Sequence, residues 1–334
     1  MSEMSEVSVL ILNYNGAKFI EACLQSVLAQ DYPTTEIIVI DNASNDESAD
    51  IVKEGFPGVV LLEAGANLGF AGGMNLGIKN SRGEFVLLLN PDVVLDKGFL
   101  SAMVEAIESD VSVGSVSGKV YKLEEREAHL LDTTGHVIFK NRLFTDRGDG
   151  EPDTGQYDSI EEIFGTCAGT GLYRRKMLED VKIGDEYFDE AFFLFLEDTD
   201  LSWRAQLRGW KCLYTPRAVA RHWRGGVAVR KSKLVELHNY KNRYMMIVKN
   251  DSGLSLFKSL HHFVITDTLK SAALLWRCPR ALAGWWQVWR NMPALIRKRR
   301  IIQRNRTVGR KDFERWLMPF DYRGWIGRQL KRKA

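Results

Sequence analysis

The chain has 334 residues, long enough for one large domain or two ordinary ones, so the size of the hydrophobic core is not limiting. Its hydrophobic fraction of 45% and charged fraction of 27% are typical of a folded soluble protein. The four cysteines lie far apart without a CxxC pair, which favours reduced thiols in a cytosol over a disulfide framework or a zinc site. The first residues, MSEMSEVSV, lack a basic segment and a long apolar run, so we expect no secretory signal and an activity on the cytoplasmic side.

The net charge of +3 conceals a strong asymmetry along the chain. Residues 1–220 contain 19 Lys and Arg against 37 Asp and Glu, whereas residues 221–334 contain 27 basic and 6 acidic residues. An acidic body with a basic tail indicates a partner with an anionic surface, which is either a membrane or a nucleic acid.

Strand and helix patterns alternate over the first hundred residues. Short apolar runs rich in β-branched residues predict strands at 7–12, 36–40, 59–62 and 85–89. Helical patterns separate these strands, so the sequence predicts a mostly parallel central sheet with helices on both faces. Ligands of such sheets bind beyond the carboxyl ends of the strands, and the polar clusters at 13–16, 41–46 and 90–92 all lie there.

The pattern is less regular between residues 110 and 210. A strand is predicted at 113–121, a hairpin within 132–147 and a polar loop at 148–160. The segment GTCAGTGLY (165–173) approaches a further strand. The segment FFLFLEDTDLSWRAQLRGW (192–210) predicts a strand that runs into a helix ending at Gly209.

From about residue 234 the composition changes to Trp, Arg, Lys and Leu. The most apolar piece, 263–289, is interrupted by charged residues and a proline, which makes it a poor membrane-spanning helix. Tryptophans among arginines, followed by the basic run 297–300, are typical of amphipathic helices that lie on an anionic bilayer. RNA binding and ordinary helical packing with a solvated basic face are the competing interpretations. The aliphatic residues of 254–265 favour lipid, so we divide the chain into a catalytic domain (1–233) and a helical membrane-association region (234–334).

Asn90-Pro91-Asp92 follows the predicted strand at 85–89. These residue types are common in turns, so the segment can be read as a turn. A carboxylate at the end of a strand in an α/β sheet is also where a phosphate-bound Mg²⁺ or Mn²⁺ is held. Taken alone, the segment fits either interpretation.

A second cluster, Glu197-Asp198-Thr199-Asp200, follows the apolar FFLFL run. Acidic residues at the start of a helix cap its amides and favour its dipole. Three carboxylates in four positions exceed what one cap needs, and mutual repulsion raises the pKa of at least one of them, which suits a general base.

His222 lies in the cationic segment 221–226, after a short predicted strand. A single histidine is more often a structural hydrogen-bonding residue than a ligand. In a loop of this composition, however, its imidazole could reach a metal on a diphosphate.

Four segments together resemble the inverting family 2 glycosyltransferases, which have the GT-A fold: VSVLILNYNG, EIIVIDNASND, NLGFAGGMNLGIKNSRGEFVLLLNPDV and FLFLEDTDLSWRAQLRGW. The resemblance spans about residues 5–250 and lies nearest to the rhamnosyltransferase-like enzymes of bacterial cell-surface polysaccharide assembly. It implies a GT-A nucleotide-sugar-binding fold, here with a basic helical C-terminal extension, and a Mg²⁺ or Mn²⁺ cofactor.

The resemblance also implies a role for each matching position. The residues expected at the donor are Asn13, Asn15, Asp41, Gly73, Asn75, Arg82 and Asn90, with Arg82 facing the diphosphate. Asp92 matches the last acid of the family's DXD metal motif, and His222 matches a histidine that completes the metal site in some members. Asp198 matches the catalytic base, supported by Glu197, Asp200 and Arg224. Asn90 departs from the pattern, because many relatives carry the first Asp of DXD there.

The chemistry of such a transfer fits these residues. An acceptor hydroxyl attacks the anomeric carbon opposite the departing diphosphate, and one carboxylate removes its proton. A divalent cation meets the charge of the diphosphate, so no acid is needed on the leaving group. A retaining hydrolase would instead need two carboxylates beside the bond. Direct displacement predicts inversion.

The sequence thus predicts a metal-dependent inverting glycosyltransferase, peripheral on the inner face of the cell membrane. The expected donor is dTDP-L-rhamnose or a related nucleotide sugar, and the expected acceptor is a lipid-linked saccharide. Two alternatives remain: a non-catalytic sugar-nucleotide-binding scaffold, and a nucleic-acid-binding protein that uses the basic tail. A Rossmann dehydrogenase is disfavoured because AGGMNLG does not follow the first strand.

Overall fold

A computed structural model describes residues 5–33, 35–123, 129–223, 233–277 and 284–322. The strands are β1 Val7–Asn13, β2 Thr35–Asp41, β3 Val60–Glu63, β4 Phe85–Leu89, β5 Val93–Leu95, β6 Val113–Lys122, β7 Leu131–Thr133, β8 His136–Phe139, β9 Phe144–Asp146, β10 Glu161–Ile163, β11 Leu172–Arg174, β12 Lys211–His222 and β13 Leu317–Met318. The helices are α1 Ile20–Leu28, α2 Ser48–Gly55, α3 Gly69–Lys79, α4 Phe99–Glu108, α5 Arg175–Val181, α6 Glu197–Arg208, α7 Lys233–Asn250, α8 Gly253–Lys258, α9 Leu260–Arg277, α10 Gly284–Asn305 and α11 Arg310–Glu314.

The central sheet has the strand order β10-β12-β6-β11-β4-β1-β2-β3 among the described residues, with β5 beside β12 and β7 beside β6. Strands β3, β2, β1 and β4 are parallel, as are β6 and β12, and the short β11 runs antiparallel between the two groups. The predicted mostly parallel sheet is therefore confirmed. It carries the ends of β1, β2 and β4 to one edge.

Helices cover both faces of this sheet. Successive side chains of a strand point to opposite faces, and here both faces are apolar, so each must be covered by helices. Val9 and Ile11 of β1 pack towards α1 and α4, whereas Leu10 and Leu12 pack towards α3, α5 and α6. Every residue of β1 and β4 is buried. This arrangement explains why both strands read as continuous apolar runs.

The helical C-terminal region shares a core with the preceding part of the chain. Tyr240, Met245 and Met246 of α7 pack in one cluster with Trp203 of α6 and Phe192. The short strand β13 pairs with β8 in a separate three-stranded sheet with β9. Helix α7 begins at Lys233, beside the expected division at 233/234. Among the described helices, none combines the length and apolar character needed to cross a membrane.

The segment FFLFL does not form the predicted strand. Residues Glu190–Phe192 form a 3₁₀ turn, and Phe193, Phe195 and Leu196 follow with left-handed backbones at φ values of 64°, 68° and 72°. The amide of Asn242 on α7 donates to the carbonyls of Phe192, Leu194 and Phe195 at 3.0, 2.8 and 2.7 Å. The prediction was wrong because an apolar run alone does not distinguish a buried strand from a buried loop whose carbonyls are satisfied by a side chain.

Candidate active site

The ends of β1 and β2 meet at Asn13 and Asp41, which are paired in register. Asn13 is fully buried, and its amide nitrogen donates to Asp41 Oδ1 at 3.2 Å, to Ser44 Oγ at 3.1 Å and to Ser48 Oγ at 2.7 Å. The amide thus fixes the loop after β2 against the loop after β1. Asp41 lies at the carboxyl edge, where a nucleotide is expected.

Asn15 lies in the loop after β1 with a left-handed backbone, at φ 53°. Its backbone N–H donates to Ser44 Oγ at 2.9 Å, and its Oδ1 accepts from the N–H of Asn45 at 2.7 Å. Asparagine tolerates this backbone conformation better than most residues. The two loops are therefore joined at both Asn13 and Asn15.

Gly73 and Asn75 both lie buried on α3. A Cβ at Gly73 would lie 2.3 Å from Leu12 Cδ1, so its lack of a side chain lets α3 approach β1 closely. Asn75 donates to Phe188 O at 2.8 Å and to Glu190 Oε1 at 3.0 Å, and it accepts from the backbone of Tyr187 and Phe188. Asn75 therefore anchors the segment that leads to Asp198, and donor contact by these two residues stays a prediction.

Arg82 is exposed and lies before β4, at the amino-terminal edge of the sheet. Its Nε is 2.9 Å from Glu6 Oε1, just before β1, and 3.8 Å from Glu36 Oε2, near the start of β2. The expectation that Arg82 faces the diphosphate is corrected here, because the polar loops of the candidate site follow the strands, whereas Arg82 precedes β4 at the opposite edge of the sheet.

Asn90 follows β4 and contacts the Gly/Thr-rich segment. Its backbone N–H donates to the carbonyl of Gly169 at 3.0 Å, and a Cβ at Gly169 would lie 2.8 Å from Asn90 Nδ2. The neighbouring Ala168 N–H donates to Asp198 Oδ2 at 3.3 Å. The segment 168–169 therefore joins the loop after β4 to the acidic cluster that starts α6.

Asp92 and His222 are brought together by strand pairing, because His222 is opposite Val93 in the β5–β12 ladder. His222 Nε2 lies 3.2 Å from Asp92 Oδ1, and its Nδ1 lies 2.8 Å from Oδ2 of the fully buried Asp132. Burial alone would lower the pKa of His222, but hydrogen bonds to Asp132 and Asp92 raise it to about 9. The sequence predicted Asp92 and His222 as metal ligands but did not indicate Asp132.

The donor set of Asp92 and His222 fits a divalent cation. Asp92 is 8% exposed, so its poorly solvated charge needs a cation, which is either the protonated His222 or a metal ion that displaces the proton from Nε2. A histidine ligand commonly donates its other ring N–H to a carboxylate, which fixes the ring, and Asp132 occupies that position. These three side chains therefore match a Mg²⁺ or Mn²⁺ site with one supporting carboxylate.

The adjacent acids Glu197 and Asp198 differ in environment. Glu197 is 5% exposed, and burial together with the charges of Asp198 and Asp200 raises the pKa of its carboxyl well above the usual value. Asp198 has 17% of its side chain exposed and accepts from the N–H groups of Ala168 and Thr199. Asp198 is thus the acid of this pair that can contact a bound acceptor.

Asp200 contacts α7 instead of the cleft. It is fully buried and binds Arg204 Nε at 3.0 Å, Lys249 Nζ at 3.0 Å and Asn250 Nδ2 at 2.7 Å. Asp200 therefore supports Asp198 by joining α6 to α7. Arg224, the other expected supporting residue, lies outside the described residues.

A histidine without any recognisable sequence motif lies beside Asp198. His136 Nε2 is 3.7 Å from Asp198 Oδ2 and 3.6 Å from Asp146 Oδ1. His136 is on β8, in the hairpin that the sequence did predict, but a single histidine carries no spacing signal. Its proximity to Asp198 depends on the pairing of β8 with Gly165.

The model of the family "Glycosyl transferase family 2" matches residues 8–182, which is more than half of the chain. The chain belongs to glycosyl transferase family 2. The match begins in β1 and includes the ends of β1, β2 and β4, so the edge that carries Asn13, Asp41 and Asp92 lies within the shared family domain.

Curated relatives from the family are polysaccharide synthases. The chain is 25% identical over 222 residues to a poly-beta-1,6-N-acetyl-D-glucosamine synthase of Staphylococcus aureus, which is 66% of this chain and 50% of that protein. It is 26% identical over 219 residues to the Staphylococcus epidermidis protein of the same name, again covering 50% of it. The chain spans about half the length of the curated relatives it matches.

Solved structures share the fold at low sequence identity. GalNAc-T7 with UDP, GalNAc and Mn²⁺ superposes with a TM-score of 0.58 at 16% identity, over 75% of this chain and 48% of that one. S. aureus TarS 1-349 superposes with a TM-score of 0.54 at 20% identity, over 85% of this chain and 78% of that one. The mannosyltransferase PcManGT from Pyrobaculum calidifontis, with GDP-Man and Mn²⁺, superposes with a TM-score of 0.53 at 17% identity. The match covers 90% of this chain and 87% of that one. These likenesses confirm the GT-A-like fold.

Proposed function

We propose that this family 2 protein is an inverting glycosyltransferase that moves a sugar from a nucleotide donor to a hydroxyl of a saccharide acceptor. The observation that carries the proposal is the bridge formed by Ala168 and Gly169. Gly169 accepts from the N–H of Asn90, beside Asp92, and Ala168 donates to Asp198. One short segment thus joins the expected diphosphate side of the site to the expected base.

Asp198 acts as the general base in this proposal. It is partly exposed, whereas Glu197 is buried and its raised pKa favours the neutral form of that neighbour. The backbone amides of Ala168 and Thr199 hold the Asp198 carboxylate in place while an acceptor hydroxyl transfers its proton to it. A single base and direct displacement of the diphosphate lead to inversion at the anomeric carbon.

Asp92 and His222 are the residues that would hold a divalent cation, Mg²⁺ or Mn²⁺, with Asp132 orienting the imidazole. When bound, the cation neutralises charge on the departing diphosphate. Mn²⁺ in the solved structures of GalNAc-T7 and PcManGT supports this cofactor. Asn90 lies two positions before Asp92 and offers an amide in place of a carboxylate.

The proposed donor is dTDP-L-rhamnose, on the basis of the resemblance of the FVLLLNPDV segment to rhamnosyltransferase-like enzymes. The names of the curated relatives favour a second candidate, an N-acetylglucosamine donor. A panel of sugar nucleotides with Mn²⁺ separates the two, with thermal stabilisation and nucleotide release as readouts. Turnover of an N-acetylglucosamine donor without turnover of dTDP-L-rhamnose would overturn the rhamnose assignment.

The proposed acceptor is a lipid-linked saccharide, reached from an anionic membrane surface on the cytoplasmic face. Exposed apolar side chains support this on three successive helices: Leu254, Phe257, Leu260, Val264, Ile265, Trp286 and Trp289. The arginines Arg290, Arg297 and Arg300 of α10 are also exposed. Aromatic and basic residues together bind the interface of anionic bilayers.

Two assays address the alternatives. Metal-stimulated release of nucleoside diphosphate from a donor would exclude a non-catalytic scaffold. Flotation with anionic liposomes, run against an RNA and DNA mobility-shift assay, tests the basic region. A mobility shift without flotation would favour nucleic acid over a membrane surface.

A further inference from the structure

A second group of metal-binding side chains lies beside Asp198, separate in its residues from the Asp92–His222 pair. His136, Asp146 and Cys167 each offer one donor atom, and these atoms all lie within 4.8 Å of one another. The three residues come from β8, the end of β9 and the segment before β11. The fold therefore brings together an imidazole, a carboxylate and a thiol that the sequence separates.

The distances in this group suit a small tetrahedral ion. His136 Nε2 lies 3.6 Å from Asp146 Oδ1 and 3.7 Å from Asp198 Oδ2. Two donors bound to one tetrahedral Zn²⁺ at ordinary bond lengths are about 3.3 Å apart. A small inward movement of the side chains would therefore bring them to ligand distances, with Asp198 at the border of the site.

The donor types differ from those of the Asp92–His222 site. Thiolate and imidazole ligands favour Zn²⁺ and related soft cations, whereas carboxylate oxygens favour Mg²⁺ and Mn²⁺. His136 is 5% exposed, and its Nε2 faces the carboxylates of Asp146 and Asp198, so this nitrogen is the one that would bind the ion. Cys167 is half-buried and can be reached by an ion.

We propose that His136, Asp146 and Cys167 bind a soft divalent cation such as Zn²⁺, and that its binding inhibits the enzyme through Asp198. The thiol of Cys167 loses its proton to solvent as the ion binds. Asp198, whose Oδ2 lies 3.7 Å from His136 Nε2, then becomes the fourth ligand, so its carboxylate can no longer accept the proton of an acceptor hydroxyl. The inhibition rests on the proposed role of Asp198 as the base, whereas the binding does not.

Cobalt binding tests the site without any assay of activity. The metal-free full-length chain is titrated with Co²⁺ and followed by absorption, because a thiolate ligand gives a near-ultraviolet charge-transfer band. We expect this band in the wild type and in Asp92→Ala, which alters only the other metal site. It should be lost in Cys167→Ser and retained in the matched control Cys212→Ser, whose thiol is buried in β12.

The affinity for Zn²⁺, measured by competition with a chromophoric chelator, shows how much each side chain contributes to binding. His136→Gln and Cys167→Ser should each weaken binding by at least roughly 10–100-fold, since even an outer-shell partner contributes that much. Circular dichroism of each variant verifies that it is folded. Absence of the cobalt band in the wild type, or its persistence in folded Cys167→Ser, would overturn the site.

Inhibition is measured at saturating Mn²⁺ with Zn²⁺ added. Wild-type transfer should fall and transfer by Cys167→Ser should not, while donor binding stays unchanged in both. A cobalt band without Zn²⁺ inhibition would overturn the inhibitory step and leave the site standing. A cobalt band in a protein that turns over no donor would instead count against the proposed function.

Discussion

Asp132 holds the ring of His222 in place: Oδ2 of Asp132 lies 2.8 Å from Nδ1, which leaves Nε2 facing Asp92. If Asp92 and His222 bind the catalytic cation, Asp132→Ala should weaken Mn²⁺ binding by about 10–100-fold, because the imidazole loses the partner that orients it. Calorimetric titration with Mn²⁺ measures the change. Asp96→Asn, which breaks a more exposed ion pair with Arg221, is the control and should bind Mn²⁺ normally. Unchanged Mn²⁺ affinity in Asp132→Ala would contradict the arrangement.

Replacing each of the two adjacent acids at the start of α6 by its amide should show which of them acts as the general base. Asp198→Asn should lower kcat by about 10²–10⁴-fold, the usual contribution of a general base. Glu197→Gln should have a much smaller effect, because burial raises the pKa of Glu197 and so favours its neutral form, which glutamine resembles. Steady-state kinetics with a fixed donor compares the two. Near-normal turnover by Asp198→Asn would remove it as the base.

Asn242 should be important for stability, because its amide is the donor for three carbonyls of the left-handed segment before Asp198. We expect Asn242→Ala to lower the free energy of unfolding by about 1–3 kcal/mol, since buried carbonyls lose their partner. Urea denaturation measures this. Asn291→Ala, which removes one bond to Gln287 O within α10, is the control and should change stability less. Equal losses in the two variants would argue against this role.

The buried pair of Asp189 and Lys249 should make stability depend on acid pH. Burial tends to raise the pKa of Asp189, but the charges of Lys249 and Lys298 outweigh it and lower that pKa well below its usual value. The stabilisation is therefore present above the unfolded-state pKa of about 3.9 and is lost as the pH falls towards the lower folded pKa.

Accordingly, Asp189→Asn should cost up to about 3–5 kcal/mol at pH 7, and its difference from wild type should shrink below about pH 4. Denaturation in urea across pH 3–7 measures both. Glu105→Gln, in an exposed pair with Arg217, is the control and should change stability much less. A pH-independent difference for Asp189→Asn would rule out the ionised pair as its cause.

The exposed tryptophans of α10 should determine membrane binding. Trp286 and Trp289 are 72% and 63% exposed, whereas Trp285 donates its Nε1–H to Tyr240 and packs on Tyr244. The double variant Trp286→Ser/Trp289→Ser should therefore lose most of its flotation with anionic liposomes while remaining folded. Val111→Ser, at an 83% exposed site between α4 and β6, should float like the wild type. Undiminished flotation of the double variant would place the contact elsewhere.

The sequence predicted the parallel sheet because β1 and β4 are buried on both faces and so read as continuous apolar runs. The polar residues after these strands, such as Asn13 and Asp92, were found because strand direction places them at one edge. The prediction that Arg82 faces the diphosphate was wrong, because closeness to a motif along the chain does not show at which end of a strand a residue lies.

Asp132 and His136 could not be found in this way. Asp132 is one of 43 Asp and Glu residues in the sequence. Its contact with His222 depends on the pairing of β6 with β7, which the sequence does not show. His136 and Cys167 are 31 positions apart and meet through a single β-bridge at Gly165. Contacts of this kind arise from the tertiary structure and leave no period or spacing in the sequence.

The pairing of β13 with β8 links the end of the described chain to the hairpin that carries His136. During translation, β8 is made long before its partner at residues 317–318. A nascent chain that already contains Asp92, Asp198 and His222 therefore has one edge of this hairpin open, and the hairpin beside Asp198 gains its third strand late in synthesis. The order of synthesis thus delays completion of the three-stranded sheet that carries His136 until the C-terminal region has been made.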